Sequence, residues 1–206
     1  EFIAKQWYFS MLSLFEKDST GNACWDIAKG DSIVVAILDD GVDTTHADLK
    51  RKIVKPYDCV NATYCPPSPT ESHGTACAGI IAASNDNVGI TGIACNARIM
   101  PLRICIERTD GILDSCPWII AQTIRMATDS GAHIINCSWG VDLETNYVGT
   151  IDSAIDYAIS KNKILVMAAG NDGISRLSYP AMMSEFKDVI SVGALDINGK
   201  LKVSNE

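Results

Sequence analysis

The chain has no apolar run long enough to cross a bilayer. The longest, such as Ile33–Leu38 and Ile164–Ala169, fall far short of the roughly 20 residues a spanning helix needs. No Gly-x-Gly-x-x-Gly follows the first of these runs, and no Walker loop occurs anywhere. Leu38 is followed instead by Asp39-Asp40-Gly41-Val42-Asp43, whose carboxylates would repel a phosphate. Basic residues are outnumbered and scattered, with 17 Lys and Arg against 25 Asp and Glu and a net charge of −8, so no nucleic-acid partner is expected. Histidine is scarce, with three in the whole chain, and none stands at a zinc-ligand spacing from cysteine. The Gly-x-Ser-x-Gly elbow of the α/β hydrolases is missing, which removes the grounds for placing the chain among them. A serine in a Gly-Thr-Ser context is missing too. Glu1-Phe2-Ile3-Ala4-Lys5 lacks the charged and long apolar stretches of an export signal.

What is present is enough for a packed core. The chain has 206 residues, 47% of them hydrophobic, which suits one domain or a large part of one. Ile33–Leu38, Arg98–Ile104, His133–Ser138, Ile164–Ala168 and Val189–Val192 read as strands. They are continuously apolar rather than alternating, the mark of parallel strands buried on both faces. His73–Ala83, Trp118–Ser130 and Gly149–Asn162 read as helices between them, with Gly131 as a C-terminal cap. The expected fold is a three-layer α/β/α domain around a mainly parallel sheet. Residues 1–30, with Trp7, Tyr8 and Trp25, read as an irregular arm, and residues 31–206 as the α/β core.

Eight cysteines suit an oxidising, secretory or extracellular compartment. Cys59 and Cys65 flank Asn61-Ala62-Thr63, a glycosylation triplet, beside Pro66, Pro67 and Pro69. Cys105 and Cys116 flank a second polar loop, and short loops of this kind suit disulfides. The alternative is reduced thiols, since eight cysteines allow 105 pairings. Cys77 and Cys137 lie in apolar segments and read as free thiols acting as small hydrophobes.

Three motifs carry chemistry. Asp39 ends the first strand, where open α/β sheets bind ligands, and a carboxylate there can orient an imidazole. His73 opens a helix beside Gly74 and has the side chain best matched to a general base near neutral pH. Asn171 follows Gly170 after another strand, where its amide can donate to an oxyanion. Singly, each has a blander reading as a turn, a cap or a structural contact. His46 and His133 take that reading, as a loop and a strand face.

Together, Val34–Gly41, His73-Gly74-Thr75-Ala76-Cys77-Ala78-Gly79 and Ala168-Ala169-Gly170-Asn171 closely resemble the subtilase family of serine proteases in order, spacing and strand context. Asp39-Asp40-Gly41 and Cys137-Ser138-Trp139-Gly140 look like the kexin branch, whereas Tyr179-Pro180-Ala181 looks like bacterial subtilisins. The resemblance implies a peptide-bond hydrolase, secreted and made as a zymogen, that acts on extended polypeptide. Asp39 would orient His73, His73 would deprotonate a serine, and Asn171 would stabilise the oxyanion. Ser138, Trp139 and Gly140 would pair with the substrate backbone, and Ala169 and Gly170 would wall its main side-chain pocket. Asp40 would favour basic side chains. Ser178, Asp142 and Leu143 lie near the pocket base in the alignment, and none supplies a matched acid there. Ser84–Ile90 resembles the family's calcium loop: Asp86 would offer a carboxylate, Ser84, Val88 and Ile90 would complete the oxygen set, and Asp48 would be a further Ca2+ ligand. Asn85-Asp86-Asn87 is equally ordinary turn chemistry.

In the resembled family the nucleophile follows aspartate, histidine and asparagine in chain order. Here Val203–Glu206 resembles the start of the segment that would lead to it. The expectation is an incomplete peptidase domain, inert by itself, whose serine lies on a second chain or a missing segment. The competing expectation is a serine-less peptide-binding or regulatory module. An intact-mass spectrum or the gene separates them, by the presence or absence of a further Gly-Thr-Ser segment.

Overall fold

A computed structural model describes residues 5–62, 72–107, 113–114, 116–140, 148–173 and 175–201. Six strands form one sheet in the order β2-β3-β1-β6-β7-β8: β2 (Tyr57–Asp58), β3 (Arg98–Arg103), β1 (Val34–Asp39), β6 (Ile134–Cys137), β7 (Ile164–Ala168) and β8 (Ile190–Val192). All five pairings are parallel. A hairpin of β4 (Ile106–Glu107) and β5 (Leu113–Asp114) stands apart.

The continuous apolar strands are explained by what covers them. Along β1, Val35 and Ile37 join Ala78 and Ala82 of α3 (His73–Ala82) on one side of the sheet. Ala36 and Leu38 point the other way, into a core with Ile120 and Ile124 of α4 (Pro117–Asp129) and Ile151 and Ile155 of α5 (Val148–Ser160). Both faces are therefore buried, and the three-layer expectation holds. Alanines on α3 let that helix lie close to the sheet. Gly131, with φ 94°, turns the chain out of α4 where a side chain would be strained.

Chain order makes β1 the switch point. The chain builds β2 and β3 on one side of β1 and then returns to add β6, β7 and β8 on the other. A crevice opens at the carboxyl end of the strand where such a reversal occurs, and Asp39 is the last residue of β1.

Residues 5–30 are more ordered than an irregular arm. They contain two short helices, α1 (Trp7–Met11) and α2 (Cys24–Ile27), and a cluster of edge-to-face rings from Trp7, Tyr8, Phe9, Phe15 and Trp25. The buried Gln6 amide fastens this arm to the core, donating to the Thr91 carbonyl at 2.8 Å and accepting from the Thr91 N–H at 2.9 Å. The Trp25 indole donates to the Ile93 carbonyl. Cys59 and Cys116 are free thiols, Cys105 is buried, and Cys65 lies outside the described residues. Cys77 and Cys137 are free as well. No described helix is long and apolar enough to cross a membrane.

Candidate active site

The end of β1 and the start of α3 interlock. Asp39 is 2% exposed, and its Oδ1 lies 2.7 Å from Nδ1 of His73, whose side chain is 52% exposed. A carboxylate can only accept, so Nδ1 carries the proton and Nε2 is left for other work. The hydrogen bond from Asp39 raises the His73 pKa above its ordinary value; partial burial opposes this, and the charges of Asp39 and Asp40 add to the rise. Asp39 Oδ1 also accepts the Asp40 N–H at 2.9 Å, whereas the buried Oδ2 has no hydrogen-bond partner among the described residues.

Gly74 is required at this contact. A Cβ there would lie 2.2 Å from the Gly41 carbonyl oxygen and 2.9 Å from the Asp39 Cβ. Any side chain would drive His73 off its carboxylate.

Asp40, expected from the sequence to favour basic side chains, turns its carboxylate to backbone N–H groups. It is 3% exposed, and its carboxylate accepts the N–H of His73 at 3.0 Å and of Gly74 at 2.7 Å. Its carbonyl accepts from Arg103 Nε at 3.1 Å, and Arg103 pairs with Asp58 at 3.1 Å. Burial raises the Asp40 pKa, and the two backbone donors oppose that rise. A carboxylate directly after a strand gives no sequence signal of its partners, which are backbone groups 33 and 34 residues away.

Ser138, Trp139 and Gly140 follow β6 beside this pair. The Trp139 indole donates to the Leu38 carbonyl at 2.9 Å, and Asn136 donates to the Ser138 hydroxyl at 2.8 Å. Ala169 and Gly170 follow β7, and with Asn171, Arg176 and Ser178 they line a cavity of about 260 Å3. Asn171 is exposed. Ser178 links the two segments, because a Cβ on either Gly140 or Gly170 would meet the Ser178 Cβ at 3.0 Å. Of the residues near the aligned pocket base, Asp142 and Leu143 lie outside the described residues.

The loop 84–90 wraps against Asp48. The Ser84 hydroxyl donates to the Asp48 carbonyl at 2.9 Å, and Asp86 Oδ1 accepts the Val88 N–H at 3.0 Å. Asp48 is 9% exposed, and one of its carboxylate oxygens lies 3.6 Å from where a Cβ on Gly89 would stand. Asn87 and Gly89 both have φ near +65°, which turns the loop back on itself. The donors here are all oxygen, which fits a hard divalent cation. Gln6, holding Thr91 just past the loop, is the participant that sequence reading missed; its partner is 85 residues away.

The model of the subtilase family matches residues 30–206. The chain is 42% identical over 174 residues to a thermophilic serine proteinase of Bacillus sp. (strain AK1), covering 84% of this chain and 41% of that protein. It is 32% identical to a calcium-dependent protease of Trichormus variabilis, covering 92% of this chain and 31% of that one. Among solved structures, sphericase superposes with a TM-score of 0.68 at 33% identity, over 84% of this chain and 58% of that chain. The chain thus spans less than two-thirds of the length of each.

Proposed function

This chain belongs to the subtilase family, and on that premise we propose that it carries the base-and-carboxylate part of a serine endopeptidase. The observation that carries the reading is the Asp39–His73 hydrogen bond of 2.7 Å, set at the carboxyl end of the switch-point strand. His73 Nε2 takes the proton of a serine hydroxyl as that oxygen attacks a peptide carbonyl. The imidazolium formed is stabilised by Asp39, and Asn171 donates to the tetrahedral oxyanion. His73 then passes the proton to the leaving amine. Water, activated by His73 in the same way, releases the acyl group. Ser138, Trp139 and Gly140 hold the substrate backbone, while Ala169 and Gly170 wall the pocket for its side chain.

None of the 206 residues supplies a serine in the required context, so sequence outside them provides the nucleophile. Support comes from the outer strand: Ile190 and Val192 of β8 and Leu195 beyond it are about half exposed, and Leu201 more so. An apolar outer strand is a surface on which further sheet can pair. The enzyme would be secreted, in keeping with the family. Asp48 and Asp86, with oxygens of Ser84, Val88 and Ile90, would hold Ca2+, which supplies stability to the folded state rather than a step of the reaction.

The test is labelling with a serine-directed fluorophosphonate, applied to this chain and to the longest product of its gene. Label is expected on a serine of the longer product and none on the 206 residues. Label within the 206 residues overturns the assignment of the nucleophile. A longer product that has a Gly-Thr-Ser segment yet takes no label and cleaves no peptide overturns the peptidase reading.

A further inference from the structure

We propose that Asp40 is a positioning residue for His73, its buried carboxylate holding the first turn of α3 against the end of β1 while Arg103 holds Asp40 in turn. The inference rests on the reading of His73 as the general base.

A helix leaves its first N–H groups without intrahelical partners, and the residue just before it supplies the usual acceptor. That residue in α3 is Ser72, and its side chain makes no capping hydrogen bond. The acceptor comes instead from another element: Asp40 Oδ2 takes the N–H of His73 at 3.0 Å and Oδ1 that of Gly74 at 2.7 Å. A negative charge at a helix N-terminus is also favoured by the helix dipole. A cap supplied by the chain next to Ser72 would move with the helix. This one is fixed to the sheet, so it sets where the helix starts relative to β1.

The placement matters because Asp39 and Asp40 divide one task. Asp39 takes the ring of His73 and Asp40 takes its backbone, so two adjacent residues hold the same histidine at both ends. Asp40 is itself held from behind. Arg103 lies opposite Asp39 in the β1–β3 register, donates to the Asp40 carbonyl at 3.1 Å and is paired with Asp58 of β2. Three strands and one helix thereby meet around one residue, α3 at the Asp40 carboxylate and Arg103, with Asp58 behind it, at the Asp40 carbonyl. A group that fixes a base within a fraction of an ångström affects a reaction without touching the reacting atoms.

Isotope-labelled samples of this chain, wild type, Asp40→Ala and Asp40→Asn, provide the test by nuclear magnetic resonance. The wild type should show a downfield His73 Nδ1 proton and slow exchange of the His73 and Gly74 amides. In Asp40→Ala those two amides should exchange on the order of tenfold faster, the size expected for a lost cap, and the Nδ1 proton should vanish while amides of α4 keep their protection. Asp40→Asn, of equal size and with one acceptor oxygen left, should retain one slow amide and a weakened Nδ1 signal. It decides the matter if the alanine variant fails to fold. A folded variant that lacks the Asp40 charge and keeps a wild-type Nδ1 signal, wild-type exchange at both amides and a wild-type His73 titration overturns the proposal. This readout does not involve the serine, so an unlabelled longer product would sink the peptidase reading and leave the clamp intact. An unchanged spectrum would do the reverse.

Discussion

At Asp39 and His73 the energetics have a definite sign. The hydrogen bond to Asp39 raises the His73 pKa, so the pair's contribution to stability is full below the free value of 6.5 and is lost as pH rises through the higher folded pKa. The denaturation midpoint of wild type minus that of His73→Ala should therefore shrink across that window. A base works in its neutral form, so catalysis by a serine-bearing form should rise with pH through the same interval. Asp39→Asn should lower the His73 pKa, read from the ring carbon proton shifts. In the serine-bearing form it should cut kcat by about 10⁴, through the wrong tautomer as much as through lost charge. A difference that stays flat with pH would disconnect the histidine from the carboxylate.

Where elements meet, small residues decide. Gly74→Ala inserts a methyl 2.2 Å from the Gly41 carbonyl. Overpacking of this kind costs about 1–3 kcal/mol, and the melting temperature should fall while the Nδ1 proton of His73 disappears. The loop 84–90 makes a separate prediction. If it binds Ca2+ only when folded, free Ca2+ at a hundredfold excess over its dissociation constant should raise the melting temperature by roughly 5–10 °C over a chelated sample. Asp48→Ala should abolish that difference, and a melting temperature indifferent to chelator removes calcium from the account. The main strands and helices were legible because burial on both faces leaves unbroken apolar runs, such as Val34–Leu38, and α4 ends where Gly131 requires a left-handed turn. Asp39 and His73 were legible because a short motif surrounds each. The partners of Asp40 were not legible because they are backbone N–H groups, which no side-chain pattern announces. The helices of the first thirty residues were missed because they are four and five residues long and are held by contacts such as Gln6 with Thr91.

For the chain as one body, the outer strand governs behaviour in solution. Half-exposed Ile190 and Val192 beside Leu201 give an apolar rim at the β8 end of the sheet. Light scattering should show association that grows with concentration, and Ile190→Lys with Val192→Lys should reduce it; a strictly monomeric wild type would count against an unsatisfied edge. The strand order also bears on how the protein is made. β1, α3 and β3 all lie within the first 103 residues, so the Asp39–His73 pair can form while the rest of the chain is still being synthesised. Asn171 must wait for β6 and β7, and on the reading proposed above the nucleophile comes later still. On that reading a ribosome delivers the base before the oxyanion donor and the serine last. Chain order alone would then withhold any proteolytic capacity until the final stretch of sheet has closed.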